Sequence, residues 1–517
     1  MEQSLYRTLS RISQQEPLPV DDADAELSKT DKANGSGASA DVYATLSVLL
    51  LGVFISQTDQ SLVLATYGKV ASEFDNFDSG SWLMSAYILA QCVAQPLYGK
   101  LSDIYGRKSC LQASYVLFAI GTAGAGLGRS LGEVIAARAI QGAGGAGMVS
   151  MVAIIITDLV PIHEVASLRS YVNVLQTTGR SCGGVIGGFL TETLGWRWAF
   201  LVQVPPILLA IVLVQWRLHL TTTSSGVRHT KWDKLKRVDF IGAFFLSSTI
   251  LSICVILDSG GQKVAWNSTF IKVFGAVGVT SAIAFVVSAR VVSEPIFPFR
   301  LLAHYTLLTN YLIIILQVTV QISLIMSVPI FFQATARAST AAAGAYLIPA
   351  FAGNTLGGLV AGYWIKKTGL FKPPTVVAPV LAVLCMLLCL LTWNEHTSVL
   401  QSLAIFPGGF ATGMVSSSCF VGLAARVDEQ DMAMAASGMY LFYNLGAISG
   451  VSSGSAVFET SLKASLRRVL DGRPDMEEVM RKALTDLSFH QVNIWGLVCA
   501  ALSLVIAVFS KGQRLKR

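Results

Sequence analysis

Three sets of charged residues stand where charge is expensive. Asp59, in Gln57-Thr58-Asp59-Gln60-Ser61, lies in the second half of an apolar stretch running from about residue 43 to 65. An aspartate at the centre of a membrane helix costs about 2.5–3.5 kcal/mol on insertion scales, so it should face protein or water, where it can bind a proton. The plainer alternative is a polar residue packing helices together near the outer interface. Arg138 lies in another apolar stretch, where a guanidinium either finds a partner inside or snorkels outward. The third set is Gly99-Lys100-Leu101-Ser102-Asp103-Ile104-Tyr105-Gly106-Arg107-Lys108, which reads as a tight charged loop between two apolar segments. Asp103 and Arg107 are spaced so that carboxylate and guanidinium meet on one helical turn, and Gly99 and Gly106 permit a sharp reversal and close helix approach. Such a loop can act as a clamp. One that only fixed orientation would need its basic residues but neither the glycines nor Asp103.

The elements that must position these residues are membrane helices. In 517 residues only 13% are charged and 53% are hydrophobic, against about a quarter charged in soluble proteins. Fourteen apolar segments of spanning length follow a polar stretch, which predicts an all-α polytopic protein. The expected organisation is a disordered cytosolic tail over 1–42, a six-helix half over 43–217, and a central loop with two inserted helices over 218–306. A second six-helix half over 307–510 follows, with a long non-cytosolic loop at 458–490, and residues 511–517 form a basic cytosolic end. The net charge of +7 falls mostly in short loops on one side, so it fixes orientation rather than pointing to nucleic acid. In that map Asn267-Ser268-Thr269 is a glycosylation sequon facing the lumen or exterior. The eight cysteines lie in or beside apolar segments and the six histidines at span edges or in loops, so neither a disulfide framework nor a metal site is expected.

The charged stretch fills every position of G-x-L-[SA]-D-x-x-G-R-[KR], the signature loop of major facilitator superfamily transporters. Arg138-Ala139-Ile140-Gln141-Gly142 resembles that superfamily's R-x-x-Q-G motif, and Asp59 matches the first-span aspartate of D-x-[ST]-[IL]-V, although Ala65-Thr66-Tyr67-Gly68 departs from the usual ending. Gly179, Gly183, Gly184, Gly187 and Gly188 resemble the antiporter motif G-x-x-x-G-P-x-x-G-G, with Gly184 in place of the proline and its kink. Together they resemble the fourteen-span drug:proton antiporters, whose fungal members include vacuolar basic amino acid transporters and exporters of toxins and secondary metabolites. The resemblance implies a major facilitator fold and export of a small organic compound against protons, without cofactor, by a monomer in the plasma or vacuolar membrane. A vacuolar amino acid transporter is the same-class alternative, and a nutrient sensor that does not transport is the alternative of another class.

Further details follow from that setting. Gly142, Gly144 and Gly147 also satisfy G-x-G-x-x-G, but the run lies inside an apolar span and is better explained by close helix packing than by a nucleotide. Overlapping G-x-x-x-G pairs, Gly183 with Gly187 and Gly184 with Gly188, predict a bare face on the fifth span. Gly362 to Lys372 echoes the glycine and cation spacing of the signature loop without its aspartate, as expected of two related halves. Polar residues at helical spacing, Tyr87, Gln91, Gln95, Gln176, Arg180, Gln317, Gln321, Asn354, Tyr443 and Asn444, suit a central substrate cavity. At the gate, Arg107 is expected to pair with Asp158 while Asp103 docks near Ala433. For coupling, Asp59 is the expected proton carrier, with Arg138 opposing protonation when close and permitting it when distant.

Overall fold

The structure, a computed structural model, describes residues 20–74, 82–160, 162–218, 238–260, 264–292, 295–297, 301, 303–336, 345–393, 399–470 and 489–510. Among these residues the regular elements are all helical, with an isolated bridge between Gly260 and Val264. The helices of the first half are α1 (Val20–Glu73), α2 (Trp82–Tyr105), α3 (Arg107–Leu127), α4 (Leu131–Leu159), α5 (Ile162–Thr193) and α6 (Trp196–Arg217). The inserted pair is α7 (Phe240–Ser259) and α8 (Thr269–Val291). The second half comprises α9 (Tyr305–Ala336), α10 (Ile348–Thr368), α11 (Lys372–Thr392), α12 (Leu400–Ala424), α13 (Glu429–Leu470) and α14 (Phe489–Phe509).

Ten of these segments are by themselves long and apolar enough to cross a bilayer. The other four, α2, α5, α10 and α13, are long enough but diluted by the polar and small residues that face neighbouring helices. Helices satisfy their backbone groups internally, which is what a hydrocarbon environment demands. The chain is an integral multi-pass membrane protein. Exposed Phe244, Val279, Ile283 and Val287 on the inserted pair suit lipid contact, while Ile250, Cys254 and Val255 of α7 pack on Leu89 and Cys92 of α2 and on Leu441 and Ile448 of α13.

Several boundaries differ from the sequence expectation. The charged stretch is not a loop: α2 runs on to Tyr105 because nothing from Leu101 to Tyr105 breaks a helix, and only Gly106, at φ 91°, turns the chain. Helix α13 continues past residue 457 to Leu470, through a run free of glycine and proline that ends just before Asp471-Gly472-Arg473-Pro474. The backbone over 20–42, expected to be a disordered tail, is helical. Residues 1–19, the basic run within 219–237, most of the 458–490 loop and the 511–517 end lie outside the described residues.

Glycines set how closely the helices approach. A Cβ on Gly142 would lie 2.2 Å from Tyr87 O of α2, and one on Gly144 would lie 2.4 Å from Phe118 N of α3. The G-x-G-x-x-G run is therefore a packing surface, with α2 and α3 both seated on α4.

Candidate transport site

Asp59 and Arg138 meet inside the first half. The guanidinium donates through Nη1 to Asp59 Oδ2 at 2.6 Å, with side-chain exposures of 1% for Arg138 and 0% for Asp59. These values show that Arg138 does not snorkel outward and that Asp59 faces protein. Arg138 also donates through Nε to Leu83 O at 3.2 Å and through Nη1 to Gln141 Oε1, and Gln141 in turn donates to Thr122 Oγ1 at 2.7 Å. The Tyr87 ring lies 4.4 Å from the guanidinium carbon and the Phe200 ring 5.9 Å away. Tyr87 is thus part of this ion-pair shell, with its hydroxyl 3.3 Å from Ser56 Oγ. Burying a charge is tolerable only with this degree of pairing.

A residue that the sequence reading missed completes the arrangement. Helix α6 breaks at Val202 and Gln203, ahead of Pro205 and Pro206, and Gln203 at the break donates through Nε2 to Asp59 Oδ1 at 3.3 Å and to Ala199 O at 3.0 Å. The two prolines mark the break, but nothing in the sequence indicates where the amide points.

Helix α5 is held against α1 beside Asp59. A Cβ on Gly179 would lie 2.8 Å from Phe54 O, one on Gly183 2.2 Å from Thr58 O, and one on Gly187 2.8 Å from Leu62 Cγ. The second expected stripe is corrected by the same geometry. Gly184 faces only Ser61 Oγ at 3.6 Å, and Gly188 has nothing within 4 Å, because one helix face can meet α1 at a time.

The residues expected to form a clamp come together at the Gly106 end. Arg107 donates to Asp103 Oδ1 at 2.5 Å and to Asp158 Oδ2 at 2.9 Å, while Lys108 reaches Gln215 O at 2.8 Å. Gly99, one turn before Asp103, meets the start of α13, where a Cβ would lie 3.0 Å from Ala433 O. The second half mirrors this contact. Gly362, near the end of α10, faces Ser170 and Ala166 near the start of α5, and Gly369 turns the chain at φ 68° as Gly106 does at φ 91°. Ser170 donates to Gly358 O at 2.7 Å and Asn173 to Asn354 Oδ1 at 2.8 Å. Buried Arg169, also missed from the sequence, donates to Tyr440 Oη and lies 4.3 Å from the Phe420 ring. Both seams between the halves are therefore closed at this end.

Further along the seams a cavity opens between the halves, lined by Thr177, Arg180, Val318, Gln321, Ile322, Ile325, Phe351, Asn354, Thr412 and Tyr443. Four expected cavity residues line it: Arg180, Gln321, Asn354 and Tyr443. Gln317 lies behind this wall, donating to Thr412 Oγ1 at 3.4 Å, and Gln176 is buried on α5. Gln95 and Asn444 are spent on each other at 2.7 Å across the α2–α13 seam, and Gln91 accepts from Gln60 at 3.4 Å. Asn267 is exposed in the turn before α8, where Ser268 caps the helix through Ile271 N. Among the described residues, no group of three His, Cys, Asp or Glu side chains could hold a metal.

The Major Facilitator Superfamily model matches residues 49–451. The chain is 32% identical over 453 residues to the vacuolar membrane amino acid uptake transporter fnx2 of Schizosaccharomyces pombe, covering 87% of this chain and 78% of the relative. It is 30% identical to the multidrug resistance protein fnx1 of the same organism, over 87% of this chain and 85% of that protein. Among solved structures, the proton:xylose symporter XylE shares the fold at a TM-score of 0.60 and 16% identity, with coverage of 92% of this chain and 97% of that one. With a family model spanning most of its helices and relatives aligned along about four fifths of their length, the chain belongs to the major facilitator superfamily and is a transporter of small molecules rather than an enzyme.

Proposed function

We propose that the chain is a fourteen-span, monomeric antiporter that exports a small organic compound from the cytosol in exchange for protons. The Gly106 end is the cytosolic one, and Asn267 is a glycan acceptor on the opposite side. The observation carrying the coupling is the fully buried Asp59 carboxylate, with Arg138 on one oxygen and Gln203 on the other. A proton arriving at Asp59 Oδ2 competes with the guanidinium for the same lone pairs. Once displaced, Arg138 keeps Gln141, Leu83 O and the Tyr87 face as partners, so it need not follow the proton. Because α5 seats its glycine face on α1 around Thr58, a change at Asp59 is mechanically linked to the helix that closes the α5–α10 seam.

Asparagine keeps the shape of Asp59 without its charge. Proteoliposomes carrying Asp59→Asn should bind substrate yet fail to accumulate it under an imposed pH gradient. Accumulation at the wild-type level would make Asp59 structural. The 32% identical relative, named as an amino acid uptake transporter of the vacuolar membrane, favours a second reading in which amino acids leave the cytosol for the vacuole. Uptake of labelled amino acids by isolated vacuoles that contain the chain would decide for it.

A further inference from the structure

Arg180 differs from Arg138 and Arg107 in what answers its charge; Arg169 too has only neutral partners, but of these arginines Arg180 is the one that lines the cavity. Arg138 is paired with Asp59, and Arg107 with Asp103 and Asp158. Arg180 donates through Nε to Gln57 Oε1 at 2.6 Å and through Nη1 to Tyr443 Oη at 3.1 Å, and both partners are neutral. Among the described residues no Asp or Glu lines the cavity into which it is built, and its other lining residues carry no charge. A guanidinium has five N–H donors, so two neutral acceptors leave the fork of the half-buried Arg180 largely unfilled and its charge without a carboxylate partner.

We propose that the cavity is selective for a substrate bearing a carboxylate, received by the open side of the Arg180 guanidinium. This rests on the cavity being the transport site, as proposed above. Gln57 and Tyr443 come from helices of opposite halves, so they hold the fork at the seam, where a bound anion completes a bridge between the halves. Gln321 and Asn354 offer amides to polar groups of the ligand, and Phe351 offers an apolar wall. A purely cationic compound would meet Arg180 with no carboxylate to balance it. A free amino acid satisfies Arg180 with its carboxylate but leaves its ammonium unanswered, so acids without a free amine fit better.

The test uses the full chain in lipid nanodiscs and three probes of one shape: N-acetyltryptophan, N-acetyltryptophan amide and tryptamine. Binding is measured at neutral pH with no gradient. The acid should bind at least about tenfold more tightly than the amide, as a charge-assisted pair implies, and tryptamine should bind most weakly. Arg180→Gln should bring acid and amide to equal affinity, while Arg180→Lys should retain part of the preference. Equal affinities in the wild type, binding of none of the three, a preference for tryptamine, or a preference that survives Arg180→Gln would each overturn the proposal. Failure of pH-driven accumulation in the wild type would instead strike the antiport reading, because these binding measurements involve no proton gradient.

Discussion

The contact between α5 and α1 lends itself to a sharp test by adding one methyl group. In Gly183→Ala the new Cβ would lie 2.2 Å from Thr58 O, and backbone on both sides leaves no flexible side chain to yield. An ordinary carbon–oxygen contact requires the helices to part by roughly 1 Å, and overpacking of this kind costs about 1–3 kcal/mol. Thr58 precedes Asp59, so the displacement also loosens the carboxylate from Arg138 and Gln203. Gly188→Ala is the matched control on the same helix: nothing lies within 4 Å, and alanine improves helix propensity by about 0.5–1 kcal/mol. Thermal unfolding of the two purified variants, followed by size-exclusion chromatography after heating, should show Gly183→Ala losing stability and Gly188→Ala matching or exceeding wild type. Flux in proteoliposomes should fall only for Gly183→Ala. If the two variants unfold alike, the close approach of α5 to α1 and the linkage to Asp59 drawn from it are both wrong.

Two further outcomes are expected at the ends of the helices. Asp103→Ala removes one of the two carboxylates on Arg107; partly exposed pairs contribute at most about 1 kcal/mol, so folded yield and thermal stability should stay near wild type while flux is lost, and unchanged flux would remove the clamp from the mechanism. Glu73 lies beyond the apolar span of α1 and accepts from Arg197 and from Trp196 Nε1, each at 2.5 Å; these hydrogen bonds, that from Arg197 foremost, hold its carboxyl below the ordinary value of 4.5. A depressed carboxylate contributes stability above its unfolded value and loses it as pH falls through the folded one. The wild type should therefore exceed Glu73→Gln by under about 1 kcal/mol at neutral pH, both side chains being about two fifths exposed, with the gap closing in acid below 4.5. A gap that widened in acid would refute the assignment of these hydrogen bonds to an ionised Glu73.

Much of this protein was legible in its residues alone, because a bilayer imposes constraints that act locally. About twenty apolar residues are needed for each crossing, and cations gather on one side, so helices and an all-α class follow from composition and order. Charges inside apolar stretches are few, and Asp59 and Arg138 stood out for that reason. Tertiary structure decided everything that depends on which face meets which neighbour. The spacing of Gly99 with Gly106 recurs in Gly362 with Gly369, but only packing shows that each pair serves a seam between halves, Gly99 against α13 and Gly362 against α5. Two glycine stripes were equally readable on α5, and the position of α1 selected Gly179, Gly183 and Gly187 over Gly184 and Gly188. Gln203 carries no local signal, since an amide beside two prolines becomes a partner of Asp59 only when α6 breaks next to α1. Arg180 was visible as a cavity residue, yet its setting belongs to the whole site: among the described residues, those lining that cavity include no carboxylate. Residue type sets what a side chain can do, and long-range contact decides what is left for it to do.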